Sequence, residues 1–280
     1  MDKPAGITSH DVVQRVRRIL GTRAVGHTGT LDPFATGLLV VLVGRATRLA
    51  RYLESRPKTY LATARLGLRT TTDDLTGEPL GAPSLEPVAE RRVRGVLAGL
   101  QGAQRQRPPQ FSAKRIAGER SYRKARRGEP VELAEVDIVV HGLDLIDYRF
   151  PDLTFRATVS AGTYIRALAR DLGERLGSGA HLTSLRREAI GPLRVDQALP
   201  LDRLTPAGLL PPEAVLDHLP SVSLDQAEVQ AVSHGRAVMD PRAESGRDQE
   251  PVALLADGAL IAVARPSEGW LHPTVVLDSA

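Results

Sequence analysis

A chain of 280 residues, 42% hydrophobic and 25% charged, suits one large or two smaller domains with a real core. The lack of any cysteine excludes disulfides, thiolate zinc sites and cysteine nucleophiles together. No apolar run approaches the roughly 18 residues of a membrane span and the N-terminus is not a signal peptide, so the expected compartment is the cytoplasm.

Thr8 or Ser9 is placed to cap a helix whose apolar positions Val12, Val13, Val16, Ile19 and Leu20 recur at helical spacing, with Gly21 as its stop. Leu38 to Gly44 reads as one buried strand. A short helix carries Ala46, Leu49, Ala50 and Leu53. Thr59 to Leu66 alternates as a strand, with Tyr60 on the side of Ala62 and Ala64. Thr70 to Pro79 is a turn-rich loop, and Val88 to Leu100 returns to helical spacing.

Net charge is only +4, yet it is clustered. Arg105, Arg107, Lys114, Arg115, Arg120, Arg123, Lys124, Arg126 and Arg127 stand against Glu119 alone. Tyr122, Phe111 and two prolines are interleaved with them, a composition suited to a polyanion such as nucleic acid; a solvated basic face is the bland alternative. This insert, residues 104–132, reads as an ordered lobe or as a flap. Val136 to Ile146 and Leu153 to Ala161 read as strands, the second placing Phe155, Ala157 and Val159 on one face. A helix follows with Leu168, Ala169, Leu172 and Leu176 on one side and Gly177 at its end. Tyr164 and Arg166 share a face only if the chain between them is still extended.

After Pro200 a proline-rich stretch reads as a short helix plus linker, and Arg242 to Glu250 as a polar loop. Short strands and a small helix occupy residues 221–280, with Asp257-Gly258 as a hairpin turn. The expected division is therefore 1–217 and a smaller, mostly β domain at 221–280.

One segment carries a pointed chemical suggestion. In Gly26-His27-Thr28-Gly29-Thr30-Leu31-Asp32-Pro33 a single carboxylate precedes a proline, which restricts Asp32 to extended conformations. Gly26 and Gly29 permit unusual backbone angles or close approach of a ligand. An ordinary turn is the competing reading.

The motifs DKPAGITSHDVV from Asp2, GHTGTLDPFATGLLVVLVGRATR from Gly26, KTYLATARLG from Lys58, TTTDDLTGE from Thr70, FSAKRIAGERSYRKARRGE from Phe111 and SAGTYIRALARDLGERLGSGAHLTSLRR from Ser160 lie in one order along nearly the whole chain. In this the chain resembles the TruB-type tRNA pseudouridine synthases. The resemblance implies an α+β catalytic domain at 1–217, with a central mixed, mainly antiparallel sheet flanked by helices. It also implies a small C-terminal β-rich PUA-like RNA-binding domain at 221–280. The implied reaction is isomerisation of the uridine at position 55 of the tRNA T loop, by base flipping and re-attachment of uracil through carbon 5.

By the same resemblance Asp32 is the nucleophile, Arg166 its fixed cation and Tyr60 the ring that stacks on the target base. His27 would enter the T loop, and Tyr164 and Leu185 would line the uracil pocket. Lys3, Arg123, Lys124 and Arg126 would bind substrate. The insert would close over RNA and the C-terminal domain would grip the acceptor end. No cofactor, metal or membrane is implied, and a monomer with no obligate protein partner is expected. Two departures stand out: one residue precedes Asp2 where relatives carry an extended apolar segment, putting an edge strand rather than the chemistry in question. Phe111 also stands where many relatives have tyrosine, which argues against an essential proton role there. A tRNA-binding folding helper is the alternative from another class. A guide-RNA-dependent relative is a third, though such proteins usually carry a longer C-terminal extension.

Overall fold

Thr8, not Ser9, caps the first helix. Its hydroxyl accepts the Asp11 N–H at 3.0 Å while the Asp11 carboxylate accepts the Thr8 N–H at 2.8 Å, a reciprocal box at the helix start. The computed structural model describes residues 1–84, 86–111, 115–116, 119–120, 127, 133–243 and 250–277. Arg123, Lys124 and Arg126 lie outside the described residues, as does most of the expected polar loop after Arg242.

The helices among the described residues are α1 (Ser9–Leu20), α2 (Ala50–Glu54), α3 (Glu90–Ala98), α4 (Ile165–Leu176) and α5 (Gln226–Ser233). The strands begin with β1 (Asp2–Lys3), β2 (Val25–His27), β3 (Thr36–Leu38), β4 (Val41–Val43), β5 (Lys58–Leu66) and β6 (Gly102–Gln106). They continue with β7 (Arg115–Ile116), β8 (Glu119–Arg120), β9 (Val136–Arg149), β10 (Asp152–Val159), β11 (Ala180–Ile190) and β12 (Leu193–Arg194). The last are β13 (Ser221–Ser223), β14 (Val238–Met239), β15 (Val252–Ala256), β16 (Ala259–Ser267) and β17 (Trp270–Val276).

The chain divides into two compact units. One holds Met1–Val12, Gly29–Val40 and Ser55–Leu201; the other holds Val13–Thr28, Val41–Glu54 and Asp202–Ala280.

The first unit is built on an eight-stranded sheet in the order β1-β3-β11-β5-β10-β9-β6, with β12 also paired to β11. Only β3 and β11 run parallel, so the expected mixed, mainly antiparallel sheet is found. Alternation in β5 and β10 turns Tyr60, Ala62, Ala64, Phe155, Ala157 and Val159 into one core, which also takes Val93 and Leu97 from α3 and Leu168, Leu172 and Leu176 from α4. Each large apolar side chain so buried contributes about 1.5–3 kcal/mol. Gly37 shows how tightly β3 meets β11. It has φ 102°, and a Cβ built there would overlap the Arg187 carbonyl oxygen.

The second unit carries a five-stranded sheet ordered β13-β15-β16-β17-β14 and the separate pair β2–β4. Its core is formed by Val222, Val232, Val252, Leu254, Ile261 and Leu271. Asp257 and Gly258 both adopt positive φ, 48° and 82°, as a two-residue hairpin turn between β15 and β16 requires.

Three expectations are corrected. The run Leu38 to Gly44 is not one strand: it breaks after Leu38, the Leu39 N–H turning to the Met1 carbonyl, and β4 pairs with β2 instead. The first residues of the basic insert, from Gln104 to Gln106, complete β6 on the sheet, paired to β9. The proline-rich stretch after Pro200 forms 3-10 turns at Leu201–Arg203, Pro206–Gly208 and Pro212–Val215 where a short helix was expected. Prolines at the start of such turns leave fewer donors for a continuous α-helical ladder.

Candidate active site

The backbone around Asp32 is held from several directions. The Ser9 hydroxyl accepts the Leu31 N–H at 2.9 Å and donates to the Leu31 carbonyl at 3.3 Å. The Asp32 carbonyl accepts the Ala35 N–H, and the Pro33 carbonyl accepts the Gly6 N–H at 2.8 Å. Lys3 is buried, and its ammonium donates to the carbonyls of Pro4, Ile7 and Pro33 at 2.9, 2.8 and 3.4 Å. The DKPAGITS motif is thus a mounting for the Asp32 turn. Gly29 lies in the left-handed half of backbone space at φ 97°, while Gly26 lies in a strand.

Asp32 faces Arg166. The guanidinium Nε meets Oδ2 at 2.9 Å and Nη2 donates to Oδ1 at 3.2 Å, a two-pronged pairing of planar groups. Arg166 side-chain exposure is 5% and that of Asp32 is 32%, so the cation backs a carboxylate that a substrate can still approach. The other donors of Arg166 are spoken for as well. Nη1 donates to the Thr72 carbonyl at 2.9 Å and lies 3.4 Å from Asp74 Oδ2; Nη2 also donates to the Phe111 carbonyl at 2.8 Å. A guanidinium so held does not swing.

Asp74 was not singled out from the sequence. It is buried, and its Oδ1 accepts from the Thr72 hydroxyl, the Thr76 N–H and the Thr76 hydroxyl at 2.7, 2.9 and 2.6 Å. The turn-rich TTTDDLTG loop is therefore a carboxylate-centred knot, bridged to β11 at Leu182. Burial pushes the Asp32 carboxyl above the usual aspartate range; Arg166 and Lys3 pull it down, and Asp74 adds to the rise. Burial likewise lowers Lys3 to about 8, against the pull of Asp32.

Tyr60 lies opposite Arg187 and Leu185 opposite Ala62 across β5 and β11, so Tyr60 and Leu185 share a face and are diagonal neighbours there. Both join Leu31 in one apolar cluster. Tyr164 is extended, with φ −101° and ψ 112°, and α4 begins at Ile165. Arg166 therefore sits in the first helical turn, and the strand-like sharing of a face with Tyr164 does not occur. The geometry brings Asp32 and Arg166 together and mounts Lys3 beside them. His27 belongs to the other unit, partly buried on β2.

The fold is that of proteins already solved. A Cbf5–Nop10–Gar1 complex matches with a TM-score of 0.72 and 28% identity, over 94% of this chain and 76% of that one. An H/ACA ribonucleoprotein bound to a substrate RNA containing 2'-deoxyuridine matches with a TM-score of 0.75 and 25% identity, over 99% of this chain and 83% of that one. Residues 17–165 match the TruB family pseudouridylate synthase N-terminal domain, and 166–219 the tRNA pseudouridylate synthase B C-terminal domain. The chain belongs to the TruB family of pseudouridylate synthases. It is 48% identical to the tRNA pseudouridine synthase B of Thermobifida fusca (strain YX), over 99% of this chain and 96% of the relative. It is 42% identical to that of Arthrobacter sp. (strain FB24), over 99% and 94%.

Proposed function

We propose that the protein converts the uridine at position 55 of the tRNA T loop to pseudouridine, with Asp32 as nucleophile. The observation that carries this reading is the approachable Asp32 carboxylate, chelated by buried Arg166 within a TruB-family chain. The isomerisation breaks the bond from uracil N1 to the ribose and forms one from carbon 5. The carbon 5 proton is lost to solvent and N1 gains one, so no external donor is needed.

Asp32 must be ionised to attack, and desolvation works against that. Arg166 answers it with a positive charge and a planar fork that fixes the attacking oxygen. Tyr60 supplies an aromatic surface for a base taken out of its stack, with Leu185 and Tyr164 completing the pocket wall. Lys3, expected to bind substrate, acts instead by holding the Asp32-Pro33 turn, because it is buried and its ammonium donates to three backbone carbonyls. His27 occupies the space the flipped nucleotide leaves in the T loop. Residues 1–217 form the catalytic domain, the part of the insert beyond β6 with Arg123, Lys124 and Arg126 contacts phosphates, and residues 221–280 hold the acceptor end. The enzyme works as a monomer in the cytoplasm.

The test is to map pseudouridine in unmodified tRNA transcripts before and after incubation with the protein. New pseudouridine at position 55 alone is expected. Modification elsewhere, or none, refutes the assignment.

A further inference from the structure

The start of α4 lacks a side-chain cap of its own. Gln106, at the end of β6 and fully buried, takes that place from 58 residues away. Its Oε1 accepts the Tyr164 N–H at 2.9 Å, and its Nε2 donates to the Tyr164 carbonyl at 3.1 Å. One primary amide therefore closes both backbone polar groups of the residue from which the helix starts, as a neighbouring strand would. The same carbonyl accepts the Leu168 N–H at 3.0 Å, so the first turn of the helix hangs from the clamped peptide.

We propose that Gln106 is a positioning residue for the reaction, which fixes the direction of Arg166 by clamping the peptide of Tyr164. Arg166 lies two residues beyond that peptide, in the first turn, where any tilt of the helix start moves the guanidinium relative to Asp32. Two further bonds join the segment that follows this strand to the same helix: Arg170 donates to the Arg107 carbonyl at 2.9 Å and Arg166 to the Phe111 carbonyl at 2.8 Å. The segment from Gln106 to Phe111 is thereby a brace along the first turns of α4, and Gln106 is its buried member. Burial makes the clamp obligatory, since an unmatched amide there would cost about as much as a lost hydrogen bond. The inference rests on the proposed role of Asp32 and Arg166.

The test uses the full chain with Gln106→Met, which keeps the volume and loses both bonds, and Gln106→Glu, which keeps an acceptor for the Tyr164 N–H but loses the amide N–H donor. Single-turnover rate constants, reaction amplitudes, tRNA affinity and hydrogen exchange at the Tyr164 amide are measured for each. Misplacing a reacting group by about 1 Å can cost 10²-fold. The rate constant is therefore expected to fall by about that much in Gln106→Met and by less in Gln106→Glu. Affinity should stay within a few-fold, and the Tyr164 amide should exchange faster in Gln106→Met. A merely structural role lowers the amplitude and leaves the rate constant of the folded fraction unchanged, and that result overturns the proposal. Unchanged Tyr164 protection in Gln106→Met overturns it too, whatever the activity. A wild-type protein that makes no pseudouridine is a different failure, that of the reading of Asp32 itself.

Discussion

At the residue scale the site is a contest between burial and fixed charge around one carboxylate. Asp74 belongs to it twice: it sits 3.4 Å from Arg166 and raises Asp32 as a like charge. On the proposed mechanism the ionised Asp32 is the reactive form, so activity is expected to fall as pH drops through its raised pKa. In Asp74→Asn the like charge is gone, the ionised form is favoured and the acid limb of the rate–pH profile moves to lower pH. The plateau rate falls by about 10- to 100-fold, because Arg166 is held less well. A limb that shifts upward contradicts this assignment. Lys3 gives a stability counterpart. With its folded pKa at about 8 against 10.5, the unfolded chain binds a proton that the folded chain lacks between those values. Wild-type stability should therefore gain on that of Lys3→Met as pH rises through that window. Denaturation midpoints at several pH values measure it, and a flat difference rejects it.

At the element scale, much of the architecture was legible in local patterns. β5 and β10 announced themselves by strict alternation, α4 by its apolar face and the β15–β16 hairpin by Asp257-Gly258. The failures have a common cause in long-range pairing. Leu38 to Gly44 is uniformly apolar, and nothing within it shows that Thr36–Leu38 joins β11 while Val41–Val43 joins β2. The site divides in the same way. Asp32 stands out from its own Gly-rich, proline-flanked motif, whereas Arg166 enters only through the family resemblance. Ser9 and Gln106 did not, because each acts on a backbone peptide far along the chain, 22 residues away for Ser9 and 58 for Gln106. Asp74 was hidden for a related reason, since its loop meets Arg166 only through the fold. The parallel β3–β11 contact has its own test in Gly37→Ala. The new Cβ would meet the Arg187 backbone at a positive φ, and overpacking of a filled site costs about 1–3 kcal/mol. A destabilisation at least that large should appear in urea unfolding; a neutral variant shows that β3 can move aside.

At the scale of the whole molecule the question is how a chain of net charge +4 takes a large polyanion. The basic residues of the insert supply the local charge that the net value conceals. Replacing Arg123, Lys124, Arg126 and Arg127 with neutral residues should weaken tRNA binding and flatten its dependence on salt, since every phosphate no longer neutralised takes close to one counterion out of the slope. An unchanged slope rejects a phosphate-binding role for the insert. Binding and chemistry are separable on this view: the insert grips, and Asp32 reacts. The most direct measurement is tritium release from a T-loop transcript labelled at uridine carbon 5, compared between wild type and Asp32→Asn, with RNA affinity measured alongside. Release by the wild type, none by Asp32→Asn and affinities within a few-fold of each other are expected. Measurable turnover by Asp32→Asn would contradict the assignment of the nucleophile.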